Sequence, residues 1–473
     1  MAENWQGIDW PRAERQVRQM QAEIVKAVRA GNTRGIIQWQ DRLTQSREAK
    51  WLAVRRVTSS GGKHTSGVDK DVWTRPAQKW EAAQRMDPRA YRPQPARRTY
   101  IPKANGAQRP LGILTMADRA MQALYYFAVD PVAETTSDPH SYGFRQYRST
   151  ADAITRCLEI FREPNAPEWV LEADIEACFD SISHQWLLEH VLMEQRILRA
   201  WLSAGYVEKG RTHPTTKGLP QGGVISPTLA NMALDGLERL LHEHFAYRAN
   251  RTRSDRVQLV RFADDFIVTA TNKAMLHEEV KPLLAQFLAQ RGMQFSESKT
   301  RMTHVKEGFE FLGFHVKKSL FGRAQAAPTR KRFDAVMEQV QAALQDNSVA
   351  TAAQAIARLT PVIRGWATYY DHVEQRGLFA ELDDAVYQAC EAWAKRRHPG
   401  WFNGKAIARY FTPIKGQSPC FTDERGQRLF RAQEMPPRQH AAIDPASNAY
   451  DPQWDRYFAA RKRAHRTEEK KKA

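Results

Sequence analysis

Phe262-Ala263-Asp264-Asp265 is the stretch that most restricts how this chain can fold. It lies between two apolar runs, Val257-Gln258-Leu259-Val260 before it and Phe266-Ile267-Val268 after it, and together they read as a β-hairpin with the acids at its tip. Strand interiors avoid Asp, and adjacent like charges repel. A bound divalent cation removes that penalty. Hard oxygen ligands suit Mg²⁺, which takes one or two carboxylates plus substrate phosphates. The pair therefore fits a site where two ions serve the attacking and leaving oxygens of an in-line displacement. Taken alone, the tetrapeptide also fits a polar turn between strands.

At 473 residues the chain calls for about two to four domains. Its 42% hydrophobic content is enough for real cores. Lys and Arg number 71 against 53 Asp and Glu, a net charge of +18 that suits a polyanionic partner. A solubility charge is the plainer alternative, but 13 Trp and 14 Tyr accompany the cations, as stacking on bases would require. Cys157, Cys178, Cys390 and Cys420 form no CxxC pair, so neither a zinc knuckle nor a disulfide framework is indicated. Met1–Trp10 is polar and acidic, unlike a signal peptide, and no apolar run approaches the roughly 20 residues of a membrane span. The expectation is a soluble, intracellular protein.

Val17, Met20, Ile24, Val25 and Val28 recur at helical spacing over 12–30, ending at Gly31-Asn32. A second helix is predicted over 33–57, with Arg42, Arg47, Lys50, Arg55 and Arg56 on a basic face that is either solvated or in contact with RNA. Residues 59–69 are loop-like, and Gly61-Gly62-Lys63 lacks the spacing of a phosphate-binding loop. From about 90 to 320, short strands alternate with helices predicted at 116–132, 150–162, 183–205 and 226–245, an α+β arrangement. Beyond Pro328 the pattern is helical over 330–345, 351–370 and 379–397, and Pro399-Gly400 closes that unit. The 400–460 region is aromatic, basic and turn-rich, and Arg461–Ala473 reads as a disordered basic tail.

Three more segments bear on the chemistry. Glu172-Ala173-Asp174-Ile175-Glu176-Ala177-Cys178-Phe179-Asp180 follows a predicted strand, Trp169-Val170-Leu171, and puts Asp174 at its end. A third carboxylate from a separate strand would complete a two-metal cradle, although a strand leading into a capped helix explains the stretch as well. Gly218-Leu219-Pro220-Gln221-Gly222-Gly223 is a turn whose glycines let backbone approach a ligand, and Ser226-Pro227 then opens a helix. Asn105-Gly106 signals a hairpin that would hold Lys103 and Arg109 on neighbouring strands, aimed at one phosphate chain or simply solvated.

In this order the segments resemble the reverse transcriptases encoded by bacterial group II introns, over nearly the whole chain. Trp10–Asp69 is similar to their N-terminal extension, Ile101–Arg119 to the first fingers block, and Ser141-Tyr142-Gly143-Phe144-Arg145 to the next. Asp174–Asp180 resembles palm motif A, Gly218–Asn231 motif B, Phe262–Asp265 motif C, Phe295–Thr300 motif D and Phe309–Phe314 the primer grip. Arg364–Tyr370 is similar to the signature helix of the family's thumb, or maturase domain.

The resemblance implies a right-hand polymerase of α+β class. Its parts would be an RNA-binding helical extension over 1–75, fingers and palm over 76–325 and a helical thumb over 326–399. A basic DNA-binding-like region over 400–460 and the tail over 461–473 would follow. The implied activity is RNA-directed DNA synthesis with two Mg²⁺ and dNTPs, on an RNA template with a DNA primer. Asp174, Asp264 and Asp265 would be the metal ligands, and Lys299 the donor of a proton to the leaving pyrophosphate. Lys103 and Arg109 would hold the triphosphate, Phe179 would exclude a 2′-hydroxyl, and Gln221 would line the nucleotide pocket. Phe262 stands where the family usually has tyrosine, which removes a hydroxyl and keeps the ring. Other implied partners are group II intron RNA, whose splicing and mobility the protein would promote, and target DNA; no membrane or small-molecule cofactor is implied, and the place would be the bacterial cytoplasm.

Asp451-Pro452-Gln453-Trp454-Asp455-Arg456-Tyr457-Phe458 resembles the segment that often precedes an HNH endonuclease, and no HNH signature follows it. The expectation is that the protein does not nick double-stranded DNA by itself. Removal of residues 1–60 is expected to impair RNA binding more than it destabilises the palm. The alternatives are a splicing-only RNA-binding cofactor and a host-adopted reverse transcriptase in defence or DNA repair; the full set of carboxylates, Phe179, Lys103 and Arg109 argues against the first.

Overall fold

Asp9 starts the first helix by accepting the Arg12 amide, with Pro11 in the first turn, and Val17, Ile24 and Val25 fill its buried face. The computed structural model describes residues 4–102, 106, 108–163, 165–246, 256–319, 321–346, 348–373, 376–400, 403–414, 417–436 and 438–472. The chain divides into two compact units. The first holds Met1–Ala153, Leu171–Met302 and Ile443–Ala460; the second holds Ile154–Val170, Thr303–Ala442 and Arg461–Ala473.

In the first unit, α1 (Trp10–Arg29), α2 (Thr33–Gln45), α3 (Arg47–Ser59) and α4 (Pro76–Arg85) precede a hairpin of β1 (Ala96–Pro102) and β2 (Gln108–Ile113). The single helix expected over 33–57 is broken at Ser46, which is extended and caps α3 by accepting the Ala49 amide at 3.1 Å. The basic face there is partly used within the protein, because Arg55 lies over Trp10 and pairs with Glu14, and Arg56 lies over Tyr126.

Thr115 caps α5 (Met116–Thr136), which is buried over most of its length and is the central helix of this unit. The first three helices cover it. The buried Gln40 amide donates to the carbonyls of Ala128 at 3.2 Å and Leu192 at 2.9 Å. The 1–60 segment is therefore part of this unit's core, and its deletion would bare α5 as well as remove the basic helices expected to meet RNA. Leu43 is fully buried here, and Leu43→Ala is expected to cost about 2–5 kcal/mol in urea unfolding monitored through the whole unit. A loss confined to the N-terminal helices would contradict this packing.

The rest of the unit follows α6 (Thr150–Arg162) and β3 (Trp169–Asp174). It comprises α7 (Cys178–Ser181), α8 (His184–His190), α9 (Gln195–Ser203), β4 (Tyr206–Glu208), β5 (Arg211–His213), α10 (Ser226–Leu234) and α11 (Leu237–Ala246). Then come β6 (Gln258–Phe262), β7 (Asp265–Ala270), α12 (Lys273–Met275), a π-helical turn, α13 (Lys281–Ala289) and β8 (Arg301–His304). Two expected helices are each split. Extended Val191 ends α8, and Asp235-Gly236 separates α10 from α11, with Gly236 at φ +101°. The strand orders are β2-β1-β4-β5 and β6-β7-β3-β8.

In the second unit β9 (Phe309–Phe311), β10 (Phe314–Lys318) and β11 (Ala324–Pro328) form a meander ahead of α14 (Arg330–Gln345), α15 (Ala352–Tyr370) and α16 (Arg376–Arg397). Tyr370 is buried and its hydroxyl donates to Gly313 O at 3.2 Å, while Arg364 is exposed and lies over Phe430. α17 (Asn403–Tyr410), β12 (Phe411–Ile414) and β13 (Gln417–Phe421) follow. The 400–460 stretch thus divides, since Ile443–Ala460 belongs to the first unit. The segment expected as a disordered tail continues α18 (Asp455–Lys472). Among the described residues no helix is long and apolar enough to cross a membrane.

Candidate functional site

Phe262 pairs with Asp265 across β6 and β7, so Ala263 and Asp264 are the two loop residues of a tight hairpin. Ala263 takes φ +60°, the positive angle that such short turns need. β7 lies beside β3, whose last residue is Asp174, so three carboxylates come from adjoining strand ends. The Ser296 amide donates to Asp174 O at 2.8 Å and thereby brings in the segment that carries Lys299. Lys299 Nζ sits 2.8 Å from Asp174 Oδ2.

Charge at this corner is only partly compensated by Lys299 and Arg109. Burial, then Asp174, raises the Asp264 carboxyl, with Arg109 and Lys299 opposing. Burial, then the carboxylates of Asp264, Asp174 and Glu172, pushes Asp265 up to about 7. Asp265 keeps an exposed surface, so the neighbouring carboxylates, more than burial, hold its proton. Among the described residues no three Asp, Glu, His or Cys side chains converge closely enough to hold an ion as they stand. The donor set is nonetheless all hard carboxylate oxygen, which fits Mg²⁺. To ligate an ion, Asp174 would first have to leave Lys299, with which it is paired.

The turn rests on residues that sequence reasoning missed. Arg261 is fully buried beneath it, paired with Asp235 and donating to Asn231 Oδ1 at 3.2 Å and Ala263 O at 3.3 Å. This pairing explains the break after Leu234, because Asp235 turns out of the helix toward the guanidinium. The available signal was an arginine directly after the apolar Leu259-Val260 pair of the strand. On the outer edge, the Tyr142 amide donates to Arg261 O at 2.9 Å, and the Arg261 amide to His140 O at 3.0 Å. Gly143 follows, held by Asn231 Nδ2 at 2.8 Å from its carbonyl. A Cβ on Gly143 would lie 2.4 Å from Ala263 N and 2.9 Å from Phe262 C. Gly143→Ala must therefore move the turn, and an activity loss of about tenfold or more is expected in primer extension, with RNA binding unchanged. Full activity would mean that the turn tolerates displacement.

Ala177, at φ +44°, turns the chain out of β3 into α7 and presents Phe179, whose ring meets Phe144 edge-on at 6.5 Å. Phe144 is 53% exposed and left-handed at φ +62°, a strained placement that no sequence pattern announced. Gln221 Nε2 donates to Asp180 Oδ2 at 3.0 Å, and Gln221 O accepts the Gly112 amide at 2.8 Å. Gln221, Asp180, Arg98 and Tyr100 line a cavity of about 430 Å³. Arg109 is exposed on β2 opposite Ile101. Lys103 lies outside the described residues. The structure thus brings Asp174 and Lys299 into contact and places Asp264 and Asp265 on the neighbouring turn, while Phe179 and Gln221 meet other partners, Phe144 and Asp180.

Comparison with known proteins follows the same segments. The profile "Reverse transcriptase (RNA-dependent DNA polymerase)" matches residues 101–316, "N-terminal domain of reverse transcriptase" matches 5–86, and "Group II intron, maturase-specific domain" matches 333–411. Protein YkfC of Escherichia coli (strain K12) is 33% identical over 333 residues, covering 60% of this chain and 84% of that protein. Group II intron-encoded protein LtrA of Lactococcus lactis subsp. cremoris is 27% identical over 329 residues, covering 56% of this chain and 54% of LtrA. Maturase-like protein 1 of Euglena gracilis is 22% identical, covering 85% of each chain.

Proposed function

This chain belongs to the reverse transcriptases and maturases of group II introns, and from that premise we propose that its carboxylate site extends a DNA primer on an RNA template. The observation that carries the reading is the meeting of Asp174, Asp264 and Asp265 at adjoining strand ends, where burial and like charge push Asp265 up to about 7. A site so charged has a use only when cations join it.

Asp174, Asp264 and Asp265 would hold two Mg²⁺, which when bound neutralise the attacking and leaving oxygens. In the reaction the primer 3′-hydroxyl gives its proton to water as its oxygen bonds to the α-phosphorus of a dNTP, and the bond to the β-phosphate oxygen breaks to release pyrophosphate. The protein's own part is positioning and proton handling. Lys299, released from Asp174, would pass its proton to the departing pyrophosphate; beside phosphates it stays protonated until then. Arg109 with Lys103 would hold the triphosphate. Phe179, braced by Phe144, would close the space of a 2′-hydroxyl, and Gln221 would border the nucleotide.

Group II intron RNA is the second partner, bound so that it folds for splicing and can later be copied. The +18 net charge supports that reading, and binding should weaken steeply with salt. We assign target DNA to the basic stretch within 403–442, and the work to the bacterial cytoplasm. The test is primed RNA with dNTPs and Mg²⁺. Extension along the template is expected. Retained intron RNA binding without extension at any Mg²⁺ concentration would overturn the polymerase reading and favour a splicing-only cofactor.

A further inference from the structure

Ile443–Ala460 belongs to the first unit and packs on it. Its start is fixed where the Ile443 amide donates to Asp152 Oδ1 at 3.0 Å. The acidic and aromatic pattern of Asp451–Phe458 is spent on the protein itself. Asp451 caps a short 3₁₀ turn and pairs with Arg29, Asp455 pairs with Arg18, and Phe458 stacks on Tyr147 at 4.4 Å. A surface built to hold DNA would keep such side chains free.

The strap's most deeply buried polar contact is made by Tyr450, 3% exposed. Its hydroxyl donates to Asp130 of α5 and accepts from Gln146 Nε2 at 2.5 Å. Three residues earlier, Ser447 O accepts from Arg148 Nη2 at 3.0 Å, and Arg148 also pairs with Glu134. Gln146 and Arg148 belong to the loop that contains Gly143 and Phe144. The same loop is stiffened from within by Arg145, which pairs with Glu134 and donates to the carbonyls of Asp138 and Ser141 at 2.8 Å each. One side of the loop therefore meets the strap. The other side meets the catalytic turn through Gly143 and the Phe179 ring through Phe144.

We propose that the strap Ile443–Phe458 is a positioning element of the polymerase, with Tyr450 its positioning residue. It holds the 138–148 loop, which in turn sets the place of Ala263-Asp264 and of Phe179. This rests on the polymerase reading above and adds to it: a segment expected to touch DNA governs the rate of nucleotide addition instead. Buried hydrogen bonds make the coupling stiff, because losing the Tyr450 hydroxyl leaves both Asp130 and Gln146 one bond short away from water.

The experiment uses the full chain and single-nucleotide addition on primed RNA. Tyr450→Phe keeps the ring and removes only the hydroxyl, and Gln146→Ala attacks the same contact from the loop. Arg456→Ala is the surface control, since Arg456 is exposed on the strap. Tyr450→Phe and Gln146→Ala are each expected to lower kcat by about tenfold with little change in KM for dNTP or in RNA affinity, the scale set by one stranded buried partner. Arg456→Ala is expected to change neither kcat nor affinity. Unchanged kcat in both loop-contact variants, with or without a lower melting temperature, would make the strap merely structural and overturn the proposal. Lost RNA or DNA affinity in Arg456→Ala with normal kcat in Tyr450→Phe would overturn it in favour of a nucleic-acid surface. A wild-type protein that fails to extend any primer would instead overturn the polymerase reading on which the proposal stands.

Discussion

Asp264→Asn is expected to abolish primer extension, by about a thousandfold or more, while raising the melting temperature of the metal-free protein. The two effects share one cause. Asp264 is raised by burial and by Asp174, and Asp265 is pushed up to about 7 by burial and by Asp264, Asp174 and Glu172. Removing one charge relieves that repulsion and, on the proposed reading, removes a metal ligand. The sign with pH follows. A carboxyl whose folded pKa lies above its unfolded value binds its proton more tightly when folded. Its contribution to stability is present below about pH 4 and is lost as pH rises toward about 7. Wild-type protein without divalent ions should therefore lose part of its stability over that window, and Asp264→Asn should lose less. Mg²⁺ should raise the melting temperature more at about pH 8 than at about pH 5.5, where protons compete for the same oxygens. Thermal melts with and without Mg²⁺ at both pH values check this, and near-wild-type extension by Asp264→Asn would remove it from the metal site.

Phe179→Ala is expected to admit ribonucleotides, narrowing the preference for dNTP over rNTP by about a hundredfold. Backbone and ring are each held once. Phe179 O accepts the Leu219 amide at 2.6 Å, and Phe144 meets the ring edge-on. With the backbone so held, truncation opens space without moving the motif B loop. The competing outcome is general slowing with both sugars, which would make Phe179 a packing residue. Comparing kcat/KM for matched dNTP and rNTP on one template separates the two. Phe144→Ala should produce a weaker shift in the same direction, because it loosens the ring without removing it.

The parts of this protein legible in the sequence are those whose causes are local. The Phe262–Asp265 turn follows from two apolar runs and a two-residue gap, and Asp174 at a strand end follows from Trp169-Val170-Leu171 before it. Helices over 10–29, 150–162 and 330–345 follow from apolar spacing, and Asn105-Gly106 announced the β1–β2 hairpin. Each depends on residues within a few positions of one another. The breaks at Ser46 and Asp235 sit at the edge of that reach. Ser46 is a local cap that a strong helical pattern concealed, whereas Asp235 leaves its helix for Arg261, 26 positions away.

What tertiary structure alone decided is how the Phe262–Asp265 turn is held. Gly143 is forced to be glycine by the backbone of Ala263, some 120 positions later in the chain. The strap reaches α5 through Tyr450 and Asp130, separated by 320 positions, and the 144–148 loop through Ser447 and Arg148, separated by 299. In the sequence, Asp451–Phe458 is a polar, aromatic stretch with no periodicity that would say what it touches. Its carboxylates and rings acquire their meaning only when folding brings Arg18, Arg29 and Tyr147 opposite them. Local patterns encode backbone preference, which is short-ranged. Pairing a buried donor with its one acceptor is settled by the whole packed unit, since the cost of stranding either group is felt only after water has been excluded.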